Sequence, residues 1–114
     1  MSADKAFMFL NAWRIGYPDA PEPTAEYRFH PTRKWRFDWA WPMHPGHPVA
    51  VEVDGNAWGV AGGGRHATDA DRDKLNHAAA LGWIVFRFSP QQLVNDPWQC
   101  IALVAQALGC EVSS

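Results

Sequence analysis

Two runs with period-2 alternation constrain this chain more than anything else in it. They are Trp35-Arg36-Phe37-Asp38-Trp39-Ala40-Trp41 and Val49-Ala50-Val51-Glu52-Val53-Asp54-Gly55. Successive side chains of a strand point to opposite faces. Alternation therefore predicts one face of Trp35, Phe37, Trp39 and Trp41, with Arg36, Asp38 and Ala40 opposite. In the second run Val49, Val51 and Val53 share a face, and Ala50, Glu52 and Asp54 share the other. If the two strands pair, Asp38, Glu52 and Asp54 meet at one edge of the sheet. Carboxylates that close repel unless a proton or cation stands between them. Hard oxygen donors of this kind suit Mg²⁺, which combines one or two carboxylates with water and substrate phosphate. The pattern points to phosphoryl chemistry.

The rest of the chain supplies elements around these strands. Ala6, Phe7, Leu10 and Trp13 recur near helical spacing and predict a helix over residues 4–14, with Asp4 as its cap. Tyr17-Pro18-Asp19-Ala20-Pro21-Glu22-Pro23-Thr24 reads as a proline-punctuated loop. Strands are expected over 25–30 and 35–41, joined by His30-Pro31-Thr32-Arg33-Lys34. A second turn over 42–48 leads to the strand 49–54, giving an antiparallel meander. Gly55 to Thr68 is a glycine-rich loop. Thr68 is a candidate cap and Asp71 a candidate capping-box acid for a helix over 69–81, whose inner face is expected to carry Leu75, Ala78 and Ala79. Trp83 to Phe88 follows as a fourth strand, parallel to 49–54 because a helix lies between them. Ser89-Pro90 opens a short helical turn. Asp96 caps a last helix with Pro97 at its first position, Ile101, Val104, Ala105 and Leu108 inward, and Gly109 at its end.

The order is therefore αβββαβα. The expected fold class is α/β: a small mixed sheet of about four strands with helices on both faces. At 114 residues the chain suits one domain with one modest core, read as a single domain over 1–114 with a core of 26–89 and a C-terminal helix over 97–108. Hydrophobic residues at 47% and charged residues at 19% exclude a disordered chain. No run approaches the ~20 apolar residues of a membrane span, and no basic-then-apolar segment opens the sequence. Cys100 and Cys110 lie about 15 Å apart along the last helix, too far to pair, and read as reduced thiols of a cytoplasmic protein. Seven Trp read as core or interface anchors rather than base-stacking surfaces. The net charge of −2 does not advertise a nucleic-acid binder, but its distribution matters. Between Tyr27 and Arg36 stand Arg28, Arg33, Lys34 and Arg36 with no acid, a cluster able to contact a phosphate backbone.

Taken together, Phe37-Asp38, Val49 to Gly55 with Glu52 and Asp54, then His66, Asp71 and Lys74, then Gly82-Trp83-Ile84-Val85-Phe86-Arg87-Phe88 resemble the PD-(D/E)XK nuclease superfamily. The branch containing the very-short-patch repair endonucleases looks most similar, and many small single-domain relatives there occur in phages and mobile elements. The resemblance spans residues 26–89. It implies a restriction-endonuclease-like fold and a Mg²⁺-dependent endodeoxyribonuclease, with Mn²⁺ as an alternative ion. Asp38 and Glu52 would be the metal ligands, and Asp54 would complete the shell or serve a second ion through water. The superfamily usually carries a lysine where this chain has Asp54. Relatives repair that loss with a lysine migrated to the next helix, the role Lys74 would take, or with an Asp/His arrangement, the role of His66. His66 could act as general base or acid, with an ordinary pKa near ~6.5.

Arg65 joins Arg28, Arg33, Lys34 and Arg36 as expected DNA contacts, and Glu26 could reach the metal as an acid from the first helix does in some relatives. Gly62-Gly63-Gly64 lacks the Gly-Lys-Ser/Thr of a Walker loop and reads as a flap over the site. Asp71 is expected to cap its helix or brace His66, and Asn76 and His77 read as surface. Arg87, on a central strand, needs a partner such as a site carboxylate or a phosphate. His30, His44 and His47 invite a Zn²⁺ reading, but His44-Pro45-Gly46-His47 has no cysteine or second His pair in register for structural zinc. Two other readings stand beside the endonuclease. One is a junction or flap resolvase, which relatives build as a homodimer; the other is a non-catalytic DNA-binding module of the same fold.

Overall fold

The computed structural model describes residues 2–53 and 69–110, with side chains from residue 6 onward. The elements are α1 (Ser2–Gly16), β1 (Thr24–Arg28), β2 (Arg36–Trp41), β3 (Val49–Val53), α2 (Asp69–Ala80), β4 (Ile84–Phe88), α3 (Pro90–Asn95) and α4 (Pro97–Leu108). The strands form one sheet in the order β1-β2-β3-β4. The first two pairings are antiparallel and β3–β4 is parallel. The parallel pairing follows from the crossover through α2, as expected for a strand–helix–strand unit. β4 is consequently an edge strand. The expectation that Arg87 sits on a central strand is corrected: among the described residues β4 pairs with β3 and with no other strand.

Helices occupy both faces, unequally. On one side α1, α3 and α4 cover Trp39, Trp41, Val49, Val51, Val53 and Phe88. On the other, α2 contributes Ala78 to a smaller cluster with Phe29, Phe37, Ala40 and Ala50. The Val face and Ala/Glu face of β3 fall where alternation places them. α1 differs from its sequence reading. It begins at Ser2, so Asp4 lies inside the helix, and Phe9 rather than Phe7 is buried, Phe7 being 45% exposed. The inner stripe is Ala6, Phe9, Leu10 and Trp13, a complete i, i+3, i+4, i+7 set.

Two positions favour glycine, one for space and one for backbone conformation. A Cβ on Gly16 would stand 2.5 Å from Ile101 Cδ1, so glycine lets α1 close onto α4. Gly109, at φ 75°, ends α4 in the left-handed region, its N–H donating to Ala105 and Gln106 carbonyls. At the other end of α4 the Asp96 carboxylate accepts from Gln99 N at 3.3 Å, with Pro97 at the first position, as the sequence predicts. Ser89 and Gln92 add a capping box to α3.

Tryptophans of the main core act as anchors. The indole N–H groups of Trp13 and Trp41 both donate to Pro21 O, at 3.1 and 2.9 Å. Trp39 Nε1 donates to Ala6 O at 2.8 Å. The two bonds to Pro21 and the Arg14–Glu22 ion pair hold the proline loop to α1 and β2, while the Trp39 bond ties β2 to α1. His44 faces two carbonyl oxygens, His47 O at 3.1 Å and Leu108 O at 3.0 Å, which ties the 42–48 turn to the end of α4.

The aromatic face expected on β2 is broken in two. Trp39 and Trp41 pack under α1 and α4, whereas Phe37, with Trp35 beside it, packs on the α2 side. The slip falls at Asp38. The β1–β2 ladder steps from Ala25↔Trp39 to Tyr27↔Phe37, and Glu26, between them, has φ 51°. A non-glycine residue in the left-handed region distorts the local ladder. Strict alternation fails where both strands step over one residue, Glu26 and Asp38, with the register unchanged on either side.

Candidate active site

Asp38 lies where β2 and β3 part. The β2–β3 ladder pairs Trp39↔Val51, Ala40↔Ala50 and Trp41↔Val49, which leaves positions 38 and 52 facing each other one step beyond it. There the Asp38 Oδ2 accepts the Val53 N–H at 2.7 Å. Its carboxylate reaches sideways across the seam instead of standing on a face as alternation predicts. Burial pushes the Asp38 carboxyl above the ordinary carboxylate range, and the nearby Glu26 charge adds to this. The Val53 N–H, Lys74 and Arg36 pull the other way without overcoming burial.

Lys74 joins the two strands from above. Residues 71, 74, 75 and 78 are the less exposed positions of α2, a helical stripe that turns Lys74 inward. Ala79, expected on this face, is exposed, because it falls one position outside the stripe. The Lys74 ammonium donates to Arg36 O at 2.8 Å, forms an ion pair with Glu52, and lies 5.4 Å from the Phe37 ring centroid. The paired side chains are 18% and 14% exposed, so little water screens them. Glu52 also has Arg87 Nε 3.7 Å from Oε1, where the parallel register sets Arg87 beside it. Arg87 thus has a site carboxylate as a partner.

Asp54, His66, Arg65 and the glycine loop 62–64 lie outside the described residues. Arg28, Arg33, Lys34 and Arg36 are all exposed. Arg36 is held by Glu26 at 2.9 Å, which commits the acid proposed for the metal to a cation instead. Arg33 lies over the Trp35 ring, 4.5 Å from its centroid. Sequence reasoning missed the grouping of His30 and His77, read separately as a turn residue and as surface. Their Nε2 and Nδ1 atoms are 3.2 Å apart. No local pattern announces the pair, since it bridges the β1–β2 turn and α2. The inward position of Lys74, by contrast, was available from its spacing to Leu75 and Ala78.

Among the described residues no group of three or more His, Cys, Asp and Glu side chains comes together in metal-binding fashion. The chemistry of the donors fits a hard cation nevertheless. Two carboxylates from adjoining strands supply oxygen, and Mg²⁺ takes its remaining ligands from water and phosphate. Lys74 already supplies positive charge to Glu52, so an incoming cation would share that carboxylate with it. The two thiols, Cys100 and Cys110, are free and lie in or after α4. No helix among the described residues is long and apolar enough to cross a membrane. No family model, no curated protein and no solved structure matches the chain.

Proposed function

We propose that the protein is a metal-dependent endodeoxyribonuclease of restriction-endonuclease-like fold, related to the PD-(D/E)XK superfamily. The observation that carries this reading is Lys74: it meets Glu52 and the Arg36 carbonyl beside the seam where Asp38 is held. Two acids and an amine delivered by β2, β3 and α2 are the groups a phosphodiester hydrolase needs in one place. Asp38 and Glu52, with Asp54 following on the chain, would hold Mg²⁺ or Mn²⁺. When bound, such an ion polarises a phosphoryl oxygen and lowers the pKa of its water. Lys74 supplies a donor to a non-bridging oxygen and compensates the negative charge that builds on the phosphoryl oxygens. The Val53 N–H fixes the orientation of Asp38, and Arg87 restrains Glu52 from the far side. His66 would move a proton to or from the reacting oxygens.

The test is cleavage of supercoiled plasmid and of a four-way junction in Mg²⁺, Mn²⁺ or EDTA. Metal-dependent cutting is expected, reduced about 100-fold or more in Glu52→Gln and Asp38→Asn. Cutting confined to the junction identifies a resolvase. Retained DNA binding with no cutting in either metal supports the second reading, a DNA-binding module of the same fold. That reading is favoured by the Lys74–Glu52 pair, which satisfies both charges as a structural brace.

A further inference from the structure

We propose that Arg33 and Trp35, walled by His30 and His77, form a platform on which one unpaired nucleobase of a single-stranded nucleic acid stacks. The guanidinium of Arg33 stands 4.5 Å from the centroid of the Trp35 ring. Arg33 is exposed and Trp35 half-buried, so the planar cation offers a stacking surface to an incoming base. His30 and His77 each stand 5.2 Å from Trp35, at 80° and 55° to it. His30 is thus edge-on to Trp35 and His77 tilted against it, so neither is a further stacked layer.

The platform is fixed before any ligand arrives. His30 Nδ1 accepts from Thr32 N at 3.2 Å and from Arg33 N at 3.0 Å. That nitrogen therefore carries no proton in the neutral ring, and Nε2–H donates to His77 Nδ1 at 3.2 Å. A short turn is in this way locked at one end to itself and at the other to α2. Preorganisation of this kind removes the entropy cost of ordering the turn on binding. Arg28 and Lys34, both exposed, supply positive charge around it for the strand's phosphates.

Core packing also links the platform to the candidate site. Trp35 packs on Phe29, ring centroids 6.2 Å apart, and Phe29 on Phe37 at 4.2 Å. Lys74 lies 5.4 Å beyond, over Phe37. One row of rings thus connects the platform to the Lys74–Glu52 pair. Paired bases in a duplex hide their faces in the stack, so the platform selects unpaired ones, as aromatic and arginine surfaces do in single-strand binders. In substrate terms the proposal deepens the nuclease reading, on which its link to Lys74 rests: it names DNA with an unpaired segment. Stacking itself needs neither metal nor cleavage.

The experiment is fluorescence anisotropy in EDTA with labelled oligothymidylate, an abasic strand of equal length and phosphate count, and a duplex. Wild type is expected to bind oligothymidylate at least about fivefold tighter than the abasic strand. Arg33→Lys, which keeps the charge and loses the plane, is expected to bring that ratio close to one, as is Trp35→Leu. Arg28→Ala should weaken both strands alike. Equal binding of the two strands by wild type, or a ratio unchanged in Arg33→Lys, overturns the proposal. If Trp35→Leu fails to fold by circular dichroism, Arg33→Lys alone decides. Failure to cut DNA in Mg²⁺ or Mn²⁺ would sink the nuclease reading and leave this ratio untouched.

Discussion

Asp38 carries two duties that a single substitution would confuse. Its carboxylate is the acceptor for the N–H of Val53, a residue only 7% exposed, and it is also a candidate metal ligand. Asp38→Ala leaves that amide without a partner and is expected to cost about 1–3 kcal/mol by chemical denaturation. Asp38→Asn keeps an oxygen in place and should fold at least as well as wild type. The pH dependence has a definite sign. Burial raises the folded-state pKa of this carboxyl, so its stabilising contribution is complete below the unfolded-state value and is lost as pH rises through the folded one. The advantage of Asp38→Asn over wild type should grow from acid to neutral pH. A wild type that gains on the variant over that range would contradict the burial argument.

At the scale of elements, α2 is held to the sheet as much by charge as by packing. Its only buried residue is Ala78, whereas α4 buries Cys100, Ile101, Val104, Ala105 and Leu108. The Lys74–Glu52 pair spans the gap between α2 and β3. Lys74→Met strands Glu52 with Arg87 as its remaining cation and is expected to cost about 1–3 kcal/mol, less than the ~3–5 of a fully buried pair. In a double-mutant cycle with Glu52→Gln, a coupling of about 1 kcal/mol or more is expected. Additive single effects would mean that the pair does not tether the helix.

Across the whole molecule, the two faces of the sheet are unequally sealed. One carries the large core beneath α1, α3 and α4, and the other the small cluster under α2. Regions with few buried apolar contacts open at lower free energy than the global core. Native-state hydrogen exchange should therefore show α2 amides opening sub-globally, while those of β3 and α4 exchange only on global unfolding. Equal opening free energies on both faces would refute this asymmetry. The weaker face is also the one that carries Lys74, Glu52 and the His30–His77 pair.

Sequence periodicity by itself determined the succession of elements, the parallel return of β4, the valine face of β3 and the caps at Asp96 and Gly109. Each of these depends on neighbours along the chain, through alternation, helical spacing or capping chemistry. Tertiary structure decided the break in β2. There Glu26 leaves the regular ladder and Asp38 takes the Val53 N–H, which moves Phe37 and Trp39 to opposite faces. It likewise decided that Lys74 meets Glu52 and that His30 meets His77. Those partners lie far apart in sequence, and their meeting is set by how α2 lands on the sheet. No local pattern encodes that docking, because its energy comes from contacts that exist only once the sheet has formed.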